Sequence, residues 1–150
     1  AIVAGDIAAV WSRRWVGAND YIWLVDQSVL PSLMGLTVGN FPVFMPPNGL
    51  QGTPAAMLYG RPVFEVEYLP DLNVATGPIG LVLASPSQYK LIGKGGVQSA
   101  SSIHVSFATD ETAFRFVYRI DGAPAWSSAL TPKSAGETVS PFVALGSTSS

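Results

Sequence analysis

Apolar and polar positions alternate along this chain in several separate stretches, and the period of each predicts an element. Ile7, Val10, Trp11 and Trp15 follow i, i+3, i+4, i+8 spacing, which predicts one apolar helix face over residues 5–16. Arg13 and Arg14 fall in its last turns, where cations suit the helix dipole, and Gly17 can stop it. Tyr21 to Val25 is a continuous apolar run, short and rich in aromatics, and reads as a buried strand. Asp26-Gln27-Ser28 then offers capping oxygens to a second helix over 28–35, with Pro31 in its first turn and Gly35 at its end.

Period-2 alternation dominates the second half. Phe64, Val66 and Tyr68 share one side of a strand whose other side carries Glu65 and Glu67. Ile79–Leu83, Tyr89–Ile92 and Phe142–Leu145 predict further strands. The longest pattern runs from Gly96 to Gly122. Val97, Ser99, Ser101, Ile103, Val105 and Phe107 alternate with Gln98, Ala100, Ser102, His104 and Ser106. After Ala108-Thr109-Asp110-Glu111, Phe114, Phe116, Tyr118 and Ile120 alternate with Arg115, Arg119 and Asp121. Two such runs around a short polar turn predict a hairpin with arms on the order of 30 Å, beyond the usual strand of about 17–20 Å. A ribbon that long needs a buttress, which nothing else in the pattern supplies.

Between Thr37 and Pro62 regularity fails, because nine Gly and Pro residues from Gly39 to Pro62 punctuate the chain. Phe41–Met45 predicts a short strand and Asn48-Gly49 a tight turn. The remaining residues of this loop are mostly apolar, which points to a partner surface rather than solvation. The elements together give an α+β fold: two helices early, then strands. There is no internal repeat and no domain-sized linker.

Composition narrows the function. Charged residues make up 12% of the 150 and hydrophobic ones 48%, so much apolar surface must be covered, and self-association covers it. A net charge of −2 argues against nucleic acid held by a basic patch. There is no cysteine for disulfides or thiolate metal sites. No apolar run reaches the ~20 residues needed to cross a bilayer, and Asp6 interrupts any early signal-peptide core. The chain opens on Ala1 and its first methionine is Met34, which reads as a processed product or an excised fragment.

Candidate chemistry is thin. His104 is the single histidine, so a histidine metal site cannot be built. Glu65 and Glu67 read as solvated charges. Gly93-Lys94-Gly95-Gly96 lacks the phosphate-loop spacing and a following helix. The serines at 99, 101 and 102 have no nucleophile-elbow context. No enzyme, cofactor, metal or small-molecule substrate is expected. Arg115 and Arg119, four apart and so on one side of a strand, fit either a solvated face or pairing between subunits.

In order, Gly60-Arg61-Pro62-Val63, Tyr68-Leu69-Pro70, Ile79–Leu83, Tyr89–Ile92, the long strand and turn, then Ala113-Phe114-Arg115 and Arg119-Ile120-Asp121-Gly122 resemble the C-terminal part of a tailed-bacteriophage major capsid protein of the Hong Kong 97 type. The resemblance covers about residues 5–145 and rests on the ordered combination, since no single motif in it is specific. It implies an axial domain, 1–95 and 127–150, with a mixed sheet flanked by two helices, and a hairpin, 96–126, belonging to the peripheral domain. It implies a shell protein whose partners are copies of itself in hexamers and pentamers, enclosing DNA non-specifically, with no membrane contact. Its location would be the virion, after assembly in the host bacterial cytoplasm. Intersubunit contacts are expected at Phe44, Met45, Asn48 and Leu50 in the axial loop and at Arg115 and Arg119 in the hairpin. Family members carry a long spine helix against this hairpin, and the sequence here has none. Some relatives cross-link lysine to asparagine in the hairpin region. No asparagine follows Asn73, so no such bond is expected through these residues. The rival readings are an encapsulin-like compartment shell and a secreted β-rich carbohydrate-binding module with Trp126 or Tyr89 as a stacking platform.

Overall fold

A continuous apolar run such as Tyr21–Val25 suits a strand inside a sheet, and the chain places it between two neighbouring strands. The computed structural model describes residues 2–38, 41–42, 44–45, 56–71, 78–106, 111–134 and 136–146. In it, β1 (Ile22–Val25) lies inside a six-stranded sheet with β4 (Phe44–Met45), β5 (Ala56–Leu58), β6 (Arg61–Glu65), β7 (Pro78–Ala84) and β12 (Phe142–Gly146). The strand order is β12-β7-β1-β6-β5-β4. β1 runs parallel to β6 and antiparallel to β7, so the sheet is mixed. A two-residue pair, β2 (Thr37–Val38) with β3 (Phe41–Pro42), stands apart from it. Among the described residues the chain is α+β, with two α-helices.

The first helix, α1 (Ala4–Ser12), buries Ile7 and Val10 as the spacing predicts. Asp6 accepts a hydrogen bond from the Val3 N–H, satisfying one orphan donor of the first turn. The helix ends four residues earlier than its periodicity suggests. Beyond Ser12 the backbone pairs with a distant strand segment: Ser140 donates to the Arg13 carbonyl and accepts from the Trp15 N–H. Arg13 is therefore the C-cap and Arg14 lies just past the last turn, yet the Arg14 guanidinium donates to the Trp11 carbonyl at 2.9 Å, so a cation still meets the negative end of the helix as expected. Gly17 matters for space instead, because the Trp15 indole occupies the place of a Cβ there.

The second helix forms in the expected place but shorter, with the cap on a 3-10 turn in front of it. Asp26 accepts from the Ser28 N–H at 2.8 Å and from its hydroxyl at 2.6 Å. A 3-10 turn, Gln27–Val29, leads into α2 (Leu30–Met34), which stops at Gly35. Both helices lie on one side of the sheet, where Trp23, Val25, Val63, Leu81 and Leu83 join Ile7, Val10, Val29 and Leu33 in the core. Trp23 is inaccessible, donates its indole N–H to the Leu58 carbonyl at 3.0 Å, and stacks on Trp11 at 6.2 Å.

The chain between β5 and β6 turns on two residues with positive φ, Tyr59 (51°) and Gly60 (71°). That is the backbone of a tight hairpin turn matched to strand twist. In β6 the side facing the helices carries Val63, which is buried, while Phe64 is 48% exposed and Tyr68 94%. Phe64 thus points away from the core, and the expected strand does not continue to Leu69: β6 ends at Glu65, and Tyr68 falls in the turn closed by the Leu69 N–H on the Val66 carbonyl.

The chain divides into two compact units: the sheet unit, 1–88 with 126–150, and a second one, residues 89–125. It is a two-stranded ribbon. The outgoing arm is β8 (Tyr89–Gly93) and β9 (Gln98–Ser106), and the returning arm is β10 (Glu111–Val117) and β11 (Ile120–Pro124). β9 pairs with β10, and β8 with β11 from Gly93↔Ile120 down to Tyr89↔Pro124. Tyr89–Gly93 is therefore the root of the hairpin and not a separate strand. Four residues of the outgoing arm (94–97) face two of the returning arm (118–119), and Gly95 takes φ 73° in that bulge. The Lys94 N–H still reaches the Arg119 carbonyl at 3.0 Å, so pairing continues across it.

Candidate assembly surfaces

Each unit shows an apolar surface that its own residues leave open. In the sheet unit this is the side away from the helices. Opposite positions on neighbouring strands share a face, so Phe64, Leu24, Val82 and Ala144 form one row across β6, β1, β7 and β12. Met57 opposes Pro62 on the same side and is 48% exposed. Leu24 and Val82 are half-buried, and Ala144 is exposed. The sequence hid this surface: an unbroken apolar run gives no alternation, so it cannot say which side the helices cover.

The ribbon is more open still. Phe114 and Phe116 are 69% and 70% exposed and face Ser101 and Ser99 across the ladder. Toward the root, Tyr118, Ile120, Leu91 and Tyr89 are each at least 45% exposed. There the glycines make room. Tyr89 and Leu91 lie within 2.6–2.8 Å of where a Gly122 Cβ would be, and the Tyr118 hydroxyl lies 3.7 Å from that of Gly93. Of the sixteen large hydrophobic residues exposed among those described, eight fall in residues 89–125. Residues 89–125 thus hold half of the open large apolar side chains among those described. Contiguous surface of this kind marks interaction sites in soluble proteins.

The residues singled out for intersubunit contact are not gathered at one place. Phe44 and Met45 form β4, one of the two edge strands of the sheet, opposite Leu58 and Met57. Asn48 and Leu50, with the Asn48-Gly49 turn, lie outside the described residues. Arg115 is exposed on β10 opposite Ala100. Arg119 is also exposed but lies in the two-residue gap between β10 and β11. The unbroken strand that put both arginines on one side is therefore interrupted. Neither arginine has an ion-pair partner among the described residues.

Local electrostatics in the sheet unit come from hydrogen bonding. The Ser28 hydroxyl and then its N–H hold the Asp26 carboxyl below its usual range. Asp20 is lowered chiefly by the Ser85 hydroxyl, with help from Ser87. Burial pushes the Tyr21 phenol up. Arg14 lies over the Trp11 ring at 4.1 Å, and Tyr59 stacks on that ring at 5.7 Å. Glu65 and Glu67 are exposed, as solvated charges are. Among the described residues, no group of three His, Cys, Asp or Glu side chains could hold a metal ion, and no helix is long and apolar enough to cross a membrane.

No curated protein matches the chain. Among solved structures it is similar to the capsid of an empty GTA particle computed with C5 symmetry, with a TM-score of 0.60 at 14% identity. The match covers 81% of this chain and 40% of that one, so the chain spans well under half of the capsid protein it resembles. At that identity the likeness establishes the fold, a capsid fold. Residues 2–133 match the model of the Phage capsid family, and the chain belongs to that family.

Proposed function

We propose that this chain is part of a shell-forming major capsid protein of the Hong Kong 97 type, acting by assembly rather than catalysis. Membership of the Phage capsid family over residues 2–133 carries the reading. The sheet unit, 1–88 with 126–150, corresponds to the axial domain. The ribbon, 89–125, corresponds to the peripheral hairpin, with its boundary at Tyr89 in place of Gly96. The protein partners copies of itself in hexamers and pentamers around non-specifically held DNA, in virions put together in the host cytoplasm. The open side of the ribbon is the surface that a spine helix and neighbouring subunits cover. Phe44, Met45, Asn48 and Leu50 contact neighbours near the capsomer axis, and Arg115 and Arg119 pair with acidic groups of adjacent copies. Neither the compartment shell nor the secreted carbohydrate-binding module is favoured by the family match.

Charge reversal tests the ribbon contacts. Arg115→Glu and Arg119→Glu each lie on exposed backbone, so the thermal midpoint stays within error while particle yield falls at least tenfold by electron microscopy. Normal particles from both variants refute the assigned contacts.

A further inference from the structure

The segment from Trp15 to Tyr21 touches the chain on both sides of the ribbon, by two unlike contacts. On the outgoing side, the Asp20 carboxylate accepts from the Ser85 hydroxyl at 2.5 Å, from the Ser87 N–H at 2.8 Å and from the Ser87 hydroxyl at 3.0 Å. Ser85 is wholly buried, and its N–H donates to the Pro141 carbonyl at 3.0 Å. The 3-10 turn Pro86–Gln88 follows, closed by the Gln88 N–H on the Ser85 carbonyl, and β8 starts at the next residue. On the return side, Trp126 meets Trp15 edge-on, with ring centres 5.8 Å apart and 66° between the planes. Trp126 is the first residue after the ribbon.

Trp15 is itself fixed from three directions. Its N–H donates to the Ser140 carbonyl at 3.1 Å, its carbonyl accepts from the Tyr21 hydroxyl at 2.6 Å, and its indole fills the space over Gly17. Tyr21 directly follows Asp20, so the two contacts belong to one short piece of backbone.

We propose that residues 15–21 form a collar that pins the two strands of chain where the ribbon leaves and re-enters the sheet unit, through Asp20 on Ser85 and Ser87 and through Trp15 on Trp126. An isolated two-stranded ribbon is marginal in water, and bringing its ends together costs closure entropy that grows with the length between them. A collar lowers that cost at the root. The pairs from Tyr89↔Pro124 to Gly93↔Ile120 then form with their ends already held, and the ribbon opens from its tip. The device uses contacts within the sheet unit alone and stands whether or not the assembly reading does.

Hydrogen exchange on the intact chain tests it, comparing Asp20→Ala and Trp126→Ala with the parent. Amides of β8 and β11 are expected to exchange at least tenfold faster in either variant, while those of β9, β10, β1 and β7 change less than threefold. Asp20→Asn, which keeps one oxygen acceptor, is expected to recover part of the protection. Should Asp20→Ala fail to fold because the buried Ser85 hydroxyl loses its acceptor, Ser87→Ala keeps the backbone bond and gives a smaller effect, about threefold, at the same amides. Unchanged rates in β8 and β11 overturn the collar. So does an equal acceleration across β1 and β7, which makes these residues ordinary core supports.

Discussion

Trp23 and Phe116 are both large aromatic residues on strands, and their surroundings differ in every respect. Trp23 sits mid-sheet on β1, inaccessible to solvent, stacked on Trp11 and hydrogen-bonded to the Leu58 carbonyl. Phe116 stands on a two-stranded ribbon, 70% exposed, with only the small Ser99 opposite. The sheet unit closes one side of its sheet with its own helices; the ribbon closes none. Low charge and high hydrophobicity thus have two origins in this chain, a self-made core and apolar side chains left open on the surface.

Paired truncation is the strongest way to break that contrast. Trp23→Ala removes a buried ring, a stack and a satisfied indole N–H, and is expected to cost about 3–5 kcal/mol in chemical unfolding. Phe116→Ala is expected to stay within about 0.5 kcal/mol of the parent. A large loss of stability from Phe116→Ala would mean that the ribbon has a core of its own.

A smaller effect sharpens the sheet side. Gly60 has φ 71° in the β5–β6 turn, with no atom near the place of a Cβ. Gly60→Ala therefore meets backbone strain alone, roughly 1 kcal/mol, seen as a lower unfolding midpoint with ribbon exchange unchanged.

The smallest effect is pH-dependent. The Ser28 bonds lower the Asp26 pKa in the folded state, so the capped carboxylate stabilises the fold above its unfolded value of about 3.9. That contribution is lost as pH falls through the lower folded value. The gap in thermal midpoint between the parent and Asp26→Asn is expected to be present at neutral pH and to close in acid. A gap independent of pH would assign the cap to geometry alone.

Elements set by local chemistry were legible in the sequence. Asp26 caps the 3-10 turn that leads into α2 and Pro31 sets φ in the first turn of α2, and β7, β12 and the alternating arms β9 and β10 follow from their patterns. What was not legible depends on distant partners. α1 stops at Ser12 because Ser140, more than 120 residues later, pairs with the backbone of Arg13 and Trp15. The ribbon root starts at Tyr89 because Pro124 lies opposite. The side of β6 that faces the helices is set by the register with Trp23, which the alternation of 64–68 does not contain. Of the expected contact residues, Arg115 was placed on its strand correctly. Arg119 was not, since nothing near it in the sequence announces the bulge on the opposite arm.

In the proposed function the ribbon is completed from outside the chain. Hydrogen exchange of β9 and β10 in the isolated chain and in assembled particles tests this most directly. The expected result is at least tenfold slower exchange in particles at 98–106 and 111–117, with β1 and β7 changed less than twofold. Equal protection of the ribbon in both states would contradict it.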